Sequence, residues 1–423
     1  MNLHQLFFGS WGVALWIYSA AAFCQTSHAN TPVFGLSGSF TALTDAGRWN
    51  PANLGLRRTL SYSLYLASFS AGVYNNAFSK TDYDLYNGAY LTSGHKTEIL
   101  KQIPAEGWRF NAGGAMDLVG FSHRNYALAV GIDVAADARL ARDFLDLLLN
   151  GNKLNRRYDF SGTAGAGMAM LTIGFSHGKS IRLPVFLKPH LRKLAVGVTI
   201  KYLRGLQMAE VLNAGGSMIT TFDGISGNAQ ARVRRANGGN GLALDFGVAS
   251  IVNKNLSLGL TLRNFPAIIH WGSGTKENAY GVTADSLTAA QLASTNEDSV
   301  IQQHSRERGI AGFFNSLPVV IHLRAVYQQG QMLLSGELVQ GFENHLNAST
   351  TPELRMGMEG YFIDYLLPRF GFSLGGKCGI RVALGLGFTT GSFRADIAAG
   401  TWGGLLPAHS KGIGFAFGMN MRL

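Results

Sequence analysis

Cysteine is nearly missing from this chain: Cys24 and Cys378 are the only two in 423 residues. That excludes a scaffold held by disulfides, and cleavage at or after Cys24 leaves Cys378 with no internal partner. Charge is also scarce, at 14% against 47% hydrophobic residues, which excludes an intrinsically disordered chain. Beyond the first segment there is no other apolar run of 18 residues, so no further helix can span a bilayer. Proline is sparse, with 10 residues, whereas glycine is abundant at 54 and aromatics make up 11%. So many glycines would weaken helices, and the balance tilts toward strands.

The first segment reads as an export signal over residues 1–24. Leu6 to Ala22 is apolar and ends in small residues, and the chain turns polar at Gln25. No Lys or Arg precedes the run, only His4, so a retained membrane anchor is the alternative. Cleavage can follow Ala22, Cys24 or Ala29, and Phe23 before Cys24 argues against a lipoprotein. The formal net charge of +11 raises the question of a nucleic-acid partner. The basic residues are scattered, however, as in Arg57 and Arg58, Arg156 and Arg157, and Arg232, Arg234 and Arg235, with no nucleic-acid motif around them. They suit loops over anionic lipid headgroups, or a lumen, and no nucleic-acid partner is expected.

A period of two recurs along the chain. Ile413, Phe415, Phe417, Met419, Met421 and Leu423 share one face; Gly412, Gly414, Ala416, Gly418, Asn420 and Arg422 share the other. The same pattern runs through Tyr126 to Val134, Leu194 to Ile200, Leu242 to Val248, Leu256 to Leu262, Leu354 to Met358 and Ile380 to Phe388. One face is large and apolar, and the other is Gly, Ala, Ser or Thr with an occasional charge. A soluble sandwich would turn a more charged face to water, so the pattern predicts an all-β fold, a transmembrane antiparallel β-barrel. About fifteen candidate strands can be marked, and an even number is required. The expectation is about 14, with Gly205 to Asn240 the ambiguous stretch. Short turns such as Asn253 to Asn255 predict periplasmic hairpins; Gly72 to Glu106 and Gly272 to Ser316 predict long external loops. Asp137 to Leu149 and, more weakly, Ala284 to Ala293 carry helical spacing. Thr31 to Arg58 is too short and too rich in Gly, Ser and Pro to fold alone; residues 25–57 are expected to plug a lumen lined by small residues, with residues 58–423 forming the barrel.

No catalytic or metal-binding constellation stands out, so neither enzymatic activity nor a cofactor is expected. Gly174 to Ser180 approaches a phosphate-binding loop but is one residue short and follows a strand without opening a helix. The informative polar residues lie late in the chain on the small-residue face: Arg263, His322, Arg324, Glu337, Arg355, Glu359, Arg381, Arg394 and Asp396. Charges at that depth must face water, a plug or one another. They form either an ion-pair network that stiffens the lumen, or a constriction or docking surface for the N-terminal segment.

Asp45 to Leu54 (DAGRWNPANL) resembles the N-P-A segment of the long-chain fatty-acid transporter superfamily of outer-membrane barrels. The stretch from Ser316 through Leu338, then Gly357 to Glu359 and Leu367 to Gly371, is similar to the C-terminal half of PorV-like and TraF-like relatives. A branch of uncharacterised barrels is similar again at Gly400 to Leu405 and Lys411 to Phe415. The resemblance implies a barrel of about fourteen strands with an N-terminal hatch, and it carries Asn50, Pro51 and Ala52 over as hatch elements. Trp49 and Leu54 flank them with apolar surface, and Arg355 and Glu359 are candidates for holding the hatch. The implied function is a channel or carrier for a hydrophobic or small solute in a bacterial outer membrane. The alternative is a structural or secretion-associated barrel that acts through a surface protein partner.

Overall fold

The computed structural model describes residues 50–56, 62–288, 301–346, 348–361 and 364–422. Trp49, the signal segment and most of the expected plug lie outside the described residues. In chain order the strands are β1 (Tyr62–Asn75), β2 (Trp108–His123), β3 (Tyr126–Leu140), β4 (Arg157–Asp159), β5 (Ala164–Ile181), β6 (Lys193–Thr221) and β7 (Gly224–Ala236). They continue as β8 (Gly238–Ile251), β9 (Leu256–Arg263), β10 (Ala267–Ser273), β11 (Lys276–Leu287), β12 (Ile301–Gly309) and β13 (Phe313–Ser316). The last are β14 (Val320–Gln329), β15 (Met332–Gly341), β16 (Glu353–Gly360), β17 (Leu366–Gly375), β18 (Arg381–Thr390), β19 (Phe393–Trp402) and β20 (Gly412–Arg422).

The wall is a closed antiparallel barrel of 14 strands: β1, β2, β3, β5, β6, β8, β9 and then β14 through β20. Closure comes from β20 pairing with β1, as at Phe417 with Phe69 and Ala416 with Ser70. Closing the sheet leaves no free edge in the wall, which is what a bilayer demands of a strand that must satisfy its own backbone. The alternation predicted for β20 holds. Ile413 and Phe415 are exposed, whereas Gly414, Ala416, Gly418 and Asn420 are buried toward the lumen. Accordingly, Phe417→Arg is expected to cost about 2–4 kcal/mol if the position lies near the bilayer midplane. Gly418→Arg acts instead by crowding the lumen. The fraction of barrel resistant to boiling-dependent unfolding on a gel measures both; equal tolerance of Arg at Phe415, Phe417 and Met419 would show that this face does not meet lipid.

One end of the barrel has mostly short turns, at residues 124–125, 252–255, 330–331 and 391–392. The other carries the helices α1 (Lys80–Tyr86), α2 (Ser93–Gln102) and α3 (Arg142–Asn150), together with the long connections. Three expectations change here. The helix expected over Asp137 to Leu149 begins only at Arg142, because Asp137 to Leu140 still pair with β2. Ala284 to Leu287, expected to be helical, belong to β11, and residues 289–293 lie outside the described residues. The region 205–240 is ambiguous in sequence because β6 runs for 29 residues and leaves the wall. Its far half pairs with β4 and β7, and β7 pairs in turn with β11 and β11 with β12. The connection expected as a loop over Gly272 to Ser316 is therefore largely strand.

Candidate functional site

The lumen has two unlike walls. On the N-terminal wall, Gly178 of β5 pairs with Gly197 of β6, and Gly197 pairs with Gly247 of β8. Gly259 of β9, which pairs with Ala249 of β8, extends the seat beneath the Asn50 amide. This row of missing side chains seats a 3-10 turn, Pro51–Leu56, whose Pro51, Ala52, Leu54, Gly55 and Leu56 are all buried. The fit is one of close approach: a Cβ on Gly178 would overlap the Pro51 carbonyl, one on Gly197 the Pro51–Ala52 peptide, and one on Gly247 the Asn50 amide. Gly178 belongs to the stretch that mimics a phosphate loop, and its role is to admit Pro51. Asn50 fixes the turn in two ways. Its Oδ1 accepts from Ala52 N at 3.0 Å, and its Nδ2 donates to Val248 O at 3.0 Å and Leu260 O at 3.3 Å, bridging β8 and β9. Leu54 packs on Ala127, and Ala52 and Leu56 pack with Ala195 and Ala249.

Toward the long-loop end, the same wall carries a buried ion pair, Lys201 to Asp245 at 2.6 Å, with Arg263 Nε 3.9 Å from Asp245. Asn264, at φ 58°, takes the Lys201 ammonium on Oδ1 (2.7 Å), donates its backbone N–H to Asp245 (2.8 Å) and donates Nδ2 to Pro318 O (3.0 Å). These bonds hold the break where the chain leaves β9 and resumes as β10, so Arg263 belongs to this node rather than to the late ionic wall. Further toward the mouth, the lumen is apolar, with Met168, Leu203, Met208, Ile269, Trp271 and Leu317 in one cluster.

The C-terminal wall carries the other predicted charges in two groups. Near the short turns, Glu359 pairs with Arg369 and, at 3.1 Å, with Arg394; Arg369 and Arg394 both reach Asp396, at 2.5 and 3.1 Å, and the Tyr361 hydroxyl donates to Glu359. Nearer the mouth, Glu337 holds Arg324, Arg355 (3.3 Å) and His322 (3.1 Å). Arg355 also pairs with Glu353 at 2.8 Å, and Glu353 pairs with Arg381. Sequence reasoning missed Glu353, Arg369, Lys201 and Asp245, all on the small-residue face. Arg355 and Glu359 were expected to hold the hatch; among the described residues they bind their own wall, and glycines hold the turn. A third feature lies at the long-loop end: Cys378 of the β17–β18 connection is buried with Tyr74 and Trp402. Burial pushes its thiol up to about 12, so it stays protonated at neutral pH. Among the described residues there is no cluster able to hold a metal ion, and no helix is long and apolar enough to cross a membrane.

A family model described as a family of unknown function, DUF5723, matches residues 51–395. The chain belongs to this DUF5723 family. In this DUF5723 barrel the matched stretch opens on Pro51, in the glycine seat, and ends one residue before Asp396 of the ionic wall. A comparison with curated proteins finds no match. Among solved structures, this DUF5723 chain is similar to the toluene transporter TbuX of Ralstonia pickettii, with 12% identity over 96% of this chain and 100% of that one, at a TM-score of 0.50. It is also similar to a FadL homologue of Pseudomonas aeruginosa, with 13% identity over 95% of this chain and 99% of that one, at a TM-score of 0.50. The DUF5723 chain thus shares its fold with these barrels, in line with the resemblance to the fatty-acid transporter superfamily.

Proposed function

We propose that this barrel lies in a bacterial outer membrane and passes neutral hydrophobic solutes, with the N-terminal segment as its hatch. The observation that carries the reading is the apolar cluster inside the lumen, where Met168, Leu203, Ile269 and Trp271 turn away from lipid. A passage for polar solutes would keep that surface wet and polar, because lumen side chains tune what a barrel admits. TbuX is a toluene transporter, and the shared fold supports the same solute class by analogy of fold alone. The Pro51–Leu56 turn, seated on the opposite stretch of the same wall, supports a hatch over the short-turn end, which is periplasmic in such barrels. Trp49 to Leu54 would be its fixed corner, with Pro51 setting the backbone before and after it. The ionic wall would then stiffen the barrel rather than select a solute.

Deleting residues 31–56 tests this. The deleted chain should still enter the outer-membrane fraction and shift mobility on boiling, while its passive conductance in a planar bilayer rises several-fold. Unchanged conductance with disturbed partner binding would favour the structural alternative, and a soluble periplasmic product would end the membrane reading.

A further inference from the structure

We infer that the apolar cluster around Trp271 is a binding site for a neutral apolar solute bearing one hydrogen-bond acceptor, and that the chain's own Leu346 occupies it as a latched lid. The inference rests on the channel reading above and adds the site, its occupant and its catch. Leu346 belongs to the connection between β15 and β16, yet it is buried in the cluster with Met168 of β5, Leu203 and Met208 of β6, Trp271 of β10 and Leu317 of the β13–β14 link. It gets there with φ at 48°, a left-handed conformation that is uncommon outside Gly, Asn and Asp and needs surrounding contacts to persist.

The Lys377 ammonium, from the β17–β18 connection, donates to the Leu346 carbonyl and pairs with Asp137 of β3 at 3.1 Å. One side chain thus ties two loops of the C-terminal wall to the opposite wall. The connection that carries Leu346 is tied off separately: Asn344 Nδ2 donates to Thr350 Oγ1 at 2.8 Å, and Thr350 N donates to Asn344 Oδ1 at 3.0 Å. The base of the connection is thus closed without any bond from Leu346.

The site behind the lid states its own preference. Its named side chains are apolar, and the methionines adapt to varied shapes. The Trp271 ring lies over Gly205 and Gly239, and its Nε1–H is buried with no acceptor among the described residues. A buried donor of that kind favours a ligand that supplies one acceptor. A charged occupant is disfavoured: the Arg234 guanidinium, 4.0 Å over the Phe313 ring at the edge of the cluster, is already paired with Glu210.

The test uses 4-bromoanisole, whose ether oxygen is an acceptor and whose bromine quenches tryptophan fluorescence at contact. The signal of Trp271 is isolated by subtracting the Trp271→Phe protein, in purified barrels that pass the boiling-shift check. Leu346→Ala should reach half-quenching at a concentration at least tenfold below native, and Lys377→Met should shift it several-fold in the same direction. Should Leu346→Ala fail to assemble, Lys377→Met alone decides. Native-like quenching in the variants, or a Trp271 that no concentration quenches, would overturn the inference. Uptake of 4-bromoanisole by cells separates the two readings. No uptake by the native chain defeats the channel, whereas uptake without any shift in quenching defeats only the lid.

Discussion

Gly197→Val is expected to unseat the Pro51–Leu56 turn while leaving the barrel wall closed. Valine suits a strand, so β6 itself tolerates the change, but its methyls need the space now filled by the Pro51–Ala52 peptide. What is lost with the seat is the burial of Leu54, about 2 kcal/mol, and the two Asn50 bonds to Val248 and Leu260, about 1 kcal/mol each. A loss near 4 kcal/mol turns a closed segment into one that is open most of the time. Protease cleavage before residue 57 should then become fast in intact barrels, and conductance should approach that of the chain lacking residues 31–56. Gly336→Val is the control, because a Cβ there meets nothing within 4 Å. A Gly197→Val barrel as protease-resistant and as tight as native would show that the glycine row is not what holds the segment.

The second large effect belongs to Arg369. It is fully buried between Glu359 and Asp396, both of which are also closed to solvent. Arg369→Met leaves two buried carboxylates with Arg394 as their one cation among the described residues, and removing one member of such a network typically costs about 3–5 kcal/mol. The lower end, about 3 kcal/mol, is expected because Arg394 still reaches both acids. Urea unfolding of the barrel in lipid vesicles reads it directly. Adding Glu359→Gln and Asp396→Asn to the same chain should recover most of the loss, since the penalty is that of the stranded charges. A single Arg369→Met variant within 1 kcal/mol of native would mean that water already reaches this node.

The barrel was legible because its signal is local. Each strand writes its two faces into alternate residues, as Ile413 to Asn420 do, and closure follows from repetition. Most of the late luminal charges were legible for the same reason. Arg369 was not, because Leu367 shares its face and Pro368 stands on the other, which interrupts the large–small alternation. The hatch seat was hidden for a deeper reason. Gly178, Gly197 and Gly247 lie far apart in the chain and become a row only through register, which no single strand encodes. Lys201 and Asp245 likewise become a pair only when β6 lies beside β8. Asn50 and Pro51 were visible as a turn, but what the turn rests on was not. The far part of β6, from Gly205 to Thr221, fell in the region where the count was ambiguous, because its alternation continues past the point where the wall ends.

That length fixes how tall the molecule stands. At about 3.3 Å per residue and a tilt near 40°, the 29 residues of β6 climb roughly 70 Å along the barrel axis if straight. The apolar band of such a barrel accounts for about 25 Å. Much of the remainder stands clear of the hydrocarbon as a blade of β4, β6, β7, β11 and β12, with Phe222 bare at its tip. On the proposed placement, whatever approaches the cell would touch this blade before it reached the mouth.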